Sequence, residues 1–232
     1  MKKFFAIRKG EEYIFEGDEL AHFNVLRCRV GEQIVCLGDD GYDYFCEITQ
    51  VTKKQAVAKI ISKEINTKNP KINITIFQGL VKGEKIDLIV QKLTELGVSN
   101  LYMYDSEFAV AKANDNKLSR LNKISQEACK QCGRSIPLNI GQTLKFKEML
   151  DCLKNYDVIL FTNEKNKLRN YEEIKNAKNI AIIIGSEGGF SDNEIEQIYS
   201  LGVINFGLGE RILRAETACI ATASIVGFMV NV

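Results

Sequence analysis

Three stretches of this 232-residue chain set small, flexible residues beside a few charged side chains. Residues 182–196 read IIIGSEGGFSDNEIE: an apolar run, then Gly185, Gly188 and Gly189 around Glu187, then a polar helix start. Residues 207–217 read GLGERILRAET, again between an apolar run (VINF) and an apolar helical segment. The third is VILF at 158–161, which ends in Thr162, Asn163 and Glu164. Glycine loops that leave strands let a ligand approach the backbone, but the common phosphate templates do not fit. A P-loop needs Lys-Ser/Thr after its second glycine, and here Phe190 follows Gly189. The dinucleotide fingerprint needs G-x-G-x-x-G, and the spacing Gly185-x-x-Gly188-Gly189 is out of register. Glu187 would also repel phosphates. The glycines are therefore expected to serve backbone shape and close approach. Ser191 and Glu194 have the S-x-x-E spacing of a capping box that starts the next helix.

In an open α/β sheet the carboxyl ends of the strands gather into one crevice. Three such ends would present carbonyls and amides to one flat, uncharged ligand. An adenine-bearing cofactor without a polyphosphate fits this picture, and S-adenosylmethionine is the candidate.

Positioning such loops requires a sheet, and the sequence supplies one. INITIFQGL (72–80) reads as a strand. Residues 82–98 carry apolar side chains at 86, 89, 90, 93 and 96, a helical spacing that Gly97 terminates. Further strands are expected at 100–104, 157–162, 180–185 and 203–206, with helices at 117–134, 144–153, 191–201 and 213–229. Strands alternating with helices imply a parallel α/β sheet. Before this, residues 3–65 read mostly as short strands (3–8, 12–16, 33–38, 42–50, 55–65) with one helix at 18–26, the pattern of a small β-barrel. The polar stretch NTKNPKIN (66–73) is read as a linker, giving domains 1–68 and 72–232.

Composition narrows the function classes. The formal net charge is +1, so any nucleic acid must be held by local patches. The N-terminus MKKFFAIRKGEE lacks the apolar core of a secretory signal, which makes the seven cysteines reduced and the expected location cytoplasmic. Cys129 and Cys132 form one C-x-x-C with no second pair, and the single histidine, His22, is distant; no metal is expected. A lone histidine also gives a Ser-His-Asp hydrolase little support. The C-terminal run ACIATASIVGFMVNV is too short for a membrane span and suits a packed core or subunit interface.

Taken together, IIIGSEGGFSDNEIE and LGERILRAETACIATASIVGF resemble the SPOUT methyltransferase superfamily. Within it they resemble the RsmE-type family, which methylates N3 of a uridine in bacterial 16S ribosomal RNA. HFNVLRCRVGEQI (22–34) is similar to that family's PUA-like N-terminal domain. KGEKIDLIVQKLTELGV (82–98), SEFAVAK (106–112) and EACKQCGR (127–134) are similar to further segments in the same order. The resemblance implies an N-terminal PUA-like β-barrel, a C-terminal α/β domain with a trefoil knot, a homodimer, and a small-subunit ribosomal RNA or 30S substrate. It also implies donor contacts from Leu160, Phe161, Thr162, Gly185, Glu187, Gly188, Leu208, Gly209, Ile212, Leu213, Thr217 and Ala218. Two departures stand out, Ser186 and Glu210, where the family often has proline.

Uracil N3 is a poor nucleophile until its proton leaves, and the resulting charge spreads over two carbonyl oxygens. Arg214, in the second loop, is the candidate to stabilise it, against a plain ion pair with Glu216 or Glu210. Glu187 is a conceivable base, although internal hydrogen bonding is the simpler role. Lys82 and Lys85 open a helix, where the dipole disfavours cations, so RNA phosphate is a reason for them to be there, against a plain solvated surface. Arg134 is assigned to phosphate or a partner subunit, against a helix C-terminal cation. Lys2, Lys3, Arg8, Arg27 and Arg29 are the expected RNA face of the N-terminal domain, and His22 a structural residue there. A non-catalytic RNA-binding module of the same fold and a nucleotide enzyme of another class, such as an NAD enzyme, remain as alternatives.

Overall fold

The computed structural model describes residues 1–111, 118–163 and 172–230. Glu164 and Lys112, both part of segments read above, lie outside the described residues. In chain order the elements are β1 Lys3–Phe4, β2 Ile7–Lys9, β3 Glu12–Phe15, α1 Gly17–Val25, β4 Gln33–Leu37, β5 Tyr42–Val51 and β6 Ala56–Ile65, then β7 Asn73–Gly79, α2 Lys85–Glu95, β8 Asn100–Asp105, α3 Leu118–Cys132, β9 Asn139–Ile140 and β10 Leu144–Lys145. There follow α4 Phe146–Leu153, β11 Val158–Thr162, α5 Glu172–Lys175, β12 Asn179–Ile184, α6 Asp192–Tyr199, β13 Ile204–Phe206 and α7 Ala215–Val230. Contacts divide the chain into two compact units: Met1–Asn69 with Cys129–Pro137, and Pro70–Ala128 with Leu138–Val232. The segment 129–137 thus rejoins the first unit, a return that no sequence signal announced.

In the first unit six strands pair in the order β1-β4-β5-β6-β3-β2. The two end strands are joined by only Phe5 and Ala6, about 4 Å of chain per residue. The sheet must therefore curl until its edges approach. Its interior is aromatic: Phe15 lies 5.3 Å from Phe4 and 5.1 Å from Phe23, ring centre to ring centre. Cys129 packs with Val35 and Leu37. Burial pushes its thiol up to about 12, so it stays protonated and behaves as a small apolar residue.

The second unit holds a sheet with the order β10-β8-β7-β12-β11-β13, β9 pairing with β8. Every pairing in it is parallel. Parallel strands covered on both faces read as continuous apolar runs, and β12 (NIAIII) is such a run. Ile180, Ile182 and Ile184 face a core shared with α2 and α7. Ala181 and Ile183 face a second core closed by Met149 and Leu153 of α4 and Ile198 of α6. The helical spacing read at 86, 89, 90 and 93 is the buried stripe of α2. The registers matter most for the site: Ile184 pairs with Gln78 and with Thr162, and Thr162 with Phe206. Four strands therefore end in one row. The sequence reading missed the two-residue strands β9 and β10 and the four-residue α5, which are too short to show a period. Among the described residues no helix is long and apolar enough to cross a membrane.

Candidate functional site

Beyond that row of strand ends the chain turns three times around one cavity of about 470 Å³. Thr162 ends β11 and Asn163 follows it, Ile184 ends β12 and residues 185–190 follow it, and Leu208, Gly209 and residues 211–215 come after β13; Lys85 at the start of α2, Ile195 of α6 and Ala218 of α7 also line it.

The first glycine loop is tightly fastened. Gln78 Nε2 donates to the Gly185 carbonyl at 2.9 Å, and the Tyr104 hydroxyl to the Ile184 carbonyl at 2.9 Å. Within the loop the Gly189 amide donates to Ser186 O at 3.1 Å, with Gly189 at φ +72°, a conformation that glycine adopts without a steric penalty. The other glycines answer to space. A Cβ on Gly185 would lie 2.8 Å from the Phe190 ring, and one on Gly188 would lie 2.7 Å from both Cβ and O of Phe108. The expected capping box is present: Glu194 N donates to Ser191 Oγ at 3.3 Å and Ser191 N to Glu194 Oε2 at 3.0 Å. The second carboxylate oxygen of Glu194 takes the Glu107 amide at 2.9 Å, so one buried side chain fixes two loops.

Charge is concentrated at one corner. Lys85 Nζ sits 2.9 Å from Glu187 and 3.6 Å from Glu216, the first-turn acid of α7. Glu187 Oε1 also takes the Lys82 amide at 3.1 Å. Burial pushes the Glu187 carboxyl up, but the Lys82 amide and Lys85 ammonium outweigh it and hold the group below the usual glutamate value. A carboxylate so held is a weak base. Arg211, Ile212 and Arg214 line the cavity while exposed to solvent. Among the described residues Arg214 forms no ion pair, so the alternative role with Glu216 or Glu210 is not seen.

The structure brings together Thr162, Gly185, Glu187, Gly188, Leu208, Gly209, Ile212, Leu213, Arg214 and Ala218 around the cavity. It does not bring Leu160, Phe161 or Thr217 to that lining. Leu160 and Phe161 are fully buried on opposite faces of the sheet, and Phe161 instead supports the lining residue Phe190 by an edge contact at 5.0 Å. Lys85, expected to face RNA, lines the cavity and is engaged by two carboxylates; Lys82 is exposed. Arg134 is a correction: it is 2% exposed, with Nε donating to the Ile136 carbonyl at 2.6 Å, so its guanidinium is not presented to phosphate. In the first unit Lys2 donates to Glu32 at 2.7 Å, and Arg8 lies over the Tyr44 ring and donates to its hydroxyl at 2.7 Å. Lys3 is half-buried near the Gly133 carbonyl, and Arg27 and Arg29 are exposed. His22 packs on Phe4 at 5.4 Å and lies 3.2 Å from Lys130, a structural setting. Sequence reasoning missed Ile184, Arg211 and Ile195 as lining; only their nearness to the two loops could have signalled them.

Comparison with known proteins decides the family. A family model described as an RNA methyltransferase domain matches residues 67–227, and an RNA methyltransferase PUA domain matches residues 15–61. The chain belongs to this RNA methyltransferase family. Similar family members include a protein named ribosomal RNA small subunit methyltransferase E from Mesomycoplasma hyopneumoniae, 31% identical over 95% of this chain and 96% of its own. The Bacillus subtilis protein of the same name is 28% identical over 96% and 92%. Among solved structures, the Neisseria gonorrhoeae enzyme of that name, bound to S-adenosylmethionine, superposes with a TM-score of 0.88 at 28% identity, covering 99% of this chain and 98% of its own.

Proposed function

We propose that the protein transfers a methyl group from S-adenosylmethionine to N3 of a uridine in bacterial 16S ribosomal RNA. The observation that carries this reading is the cavity itself. In a member of an RNA methyltransferase family, it is bounded by the two glycine loops at the carboxyl ends of β12 and β13, the parallel strands on either side of β11. The residues fit the cofactor. Ile184, Leu208, Leu213 and Ala218 offer apolar contact to a purine, and Glu187 offers a negative charge to a cationic ligand. Alanine at 185 or 188 would project a methyl group into Phe190 or Phe108, so the loop that walls the cavity keeps this shape only with glycine at both positions.

When bound, the cofactor supplies a methyl group activated by a sulfonium. The chain's own contribution is positioning, which brings donor and acceptor to near-attack distance, and electrostatics. Arg214 lines the cavity, is exposed and forms no ion pair among the described residues, so it can donate to the oxygens flanking N3 as negative charge develops there. Glu187, anionic and tied to Lys82 and Lys85, serves the loop and is not the proton acceptor.

RNA is held in this reading by Lys2, Lys3, Arg8, Arg27 and Arg29 of the first unit and Lys82 of the second. The protein acts as a cytoplasmic homodimer, and α7 supports this by exposing Thr217, Ser224 and Phe228 at spacings that share one helix face. The second domain, read as 72–232, carries a trefoil knot. Its support is that the chain leaves the edge strand β13 and returns with α7 to pack on central β12 and on α2. Mass mapping of small-subunit rRNA from a deletion strain tests the activity: loss of one N3-methyluridine is expected, and an unchanged pattern refutes it.

A further inference from the structure

The start of α2 presents a physical puzzle. Lys85 is the first residue of that helix, where the exposed amides and the dipole disfavour a cation. Yet it lines the cavity. Two carboxylates resolve the conflict, and they come from different loops. Glu187 belongs to the glycine loop after β12 and lies 2.9 Å from Nζ, while Glu216 opens α7, directly after the second loop, and lies 3.6 Å away. Glu187 also accepts the Lys82 amide, so its negative charge sits where the α2 N-terminus attracts it. Glu216 is 9% exposed, and its Oε2 has no hydrogen bond besides this ionic contact. Without Lys85 that buried carboxylate would lose its counter-charge, a costly state.

We propose that Lys85 is a positioning residue for the methyl donor, clamping the glycine loop and the start of α7 to α2 through Glu187 and Glu216. The two loops that line the cavity are not hydrogen-bonded to each other among the described residues; this ammonium is the group that engages both carboxylates. Exposed ion pairs contribute little, but this one is a network, with one partner largely buried and one oxygen shared with a backbone amide. Its effect falls on loop spacing, and thus on donor affinity. Lys85 is in this assignment not a phosphate contact, which separates it from its exposed neighbour Lys82. The proposal rests on the donor-pocket reading above.

The test is calorimetric titration of S-adenosylhomocysteine into the full chain and into K85M, K85R and E216Q, with binding of a small-subunit rRNA fragment measured across a salt series. K85M keeps most of the aliphatic stem. It is expected to weaken S-adenosylhomocysteine about tenfold, the loss of roughly one coupled interaction, and to leave the RNA salt slope unchanged. K85R should recover most of the affinity. E216Q should weaken binding too, and the double variant should be no worse than K85M alone, since both remove one network. The proposal is overturned if K85M binds S-adenosylhomocysteine like wild type, or if it lowers RNA affinity and reduces the salt slope by about one, the signature of a lost phosphate contact. If K85M fails to fold, K85R and E216Q decide alone: wild-type donor affinity in E216Q overturns the clamp. No binding of S-adenosylhomocysteine to the wild-type chain would instead refute the donor-pocket reading itself.

Discussion

The two loops that bound the cavity are built on opposite principles. The segment 185–190 is held from several sides: by Gln78 of the adjacent strand β7, by Tyr104 of β8 at Ile184 just before it, by Phe108 and Phe190 against its glycines, and by the cap at Ser191. The segment 208–214 shows the reverse. Gly209, Glu210, Arg211, Ile212 and Arg214 are exposed, with Ile212 at 78%, and the loop's carbonyl at Arg214 merely begins the hydrogen bonding of α7. One wall is fastened by hydrogen bonds and close packing, the arrangement that suits holding a cofactor in fixed geometry. The other offers its side chains outward, as recognition of a second, larger substrate requires. Fixing one reactant while leaving the other wall accessible is a direct way to gain from proximity without closing the site to RNA.

Substitutions can break this contrast. The largest effect is expected for Gly79→Ala, whose new methyl would stand 2.5 Å from the backbone nitrogen of Ser186. Backbone cannot move aside as a flexible side chain can, so about 3 kcal/mol of stability should be lost, read as a lowered urea midpoint together with weakened S-adenosylhomocysteine binding. Next is Arg214→Ala on the open wall. It should leave the urea midpoint and donor affinity intact while lowering kcat about 100-fold, the effect of removing one donor to a developing anion; full turnover in this variant would end Arg214's assigned role. Tyr104→Phe removes one buried hydrogen bond to the Ile184 carbonyl and should cost about 1 kcal/mol, visible as a small shift of the same midpoint with kcat preserved.

The mildest probe is acid. The folded-state value of Glu187 lies below the ordinary 4.5 of a glutamate. Its stabilising contribution is therefore complete above that ordinary value and is lost as pH falls through the lower, folded one. Donor affinity should stay flat as pH drops from 7 to about 5 and weaken only below the ordinary glutamate range, and Glu187→Gln should abolish that dependence. A decline already under way near neutrality would mean that another group controls the loop.

Some of this was legible before any coordinates. Period and glycine placement located β7, α2, β12 and both loops, because a buried parallel strand must be apolar along its whole length and a loop in close contact must be small. Ser191 and Glu194 announced a cap because that motif is local. What the sequence concealed were the long-range partners. Gln78 and Tyr104 read as strand residues; that they fasten a turn 107 and 80 positions away depends on the registers Gln78↔Ile184 and Gly79↔Tyr104. Arg134 read as a contact to phosphate or a partner subunit, yet in the segment 129–137, which belongs to the first unit, it is buried. Lys85 read as an RNA-phosphate contact at a helix start that disfavours cations, and it engages two carboxylates 102 and 131 positions further on, brought within ionic reach.

The sequence by itself determined the elements, the loop chemistry and the family resemblance, since these depend on neighbours a few residues apart and on motif order. Only the tertiary structure decided which charges are satisfied, which aromatic rings support a loop and which residues line the cavity. Those outcomes depend on distances between segments, and a linear pattern of residue types carries no distances.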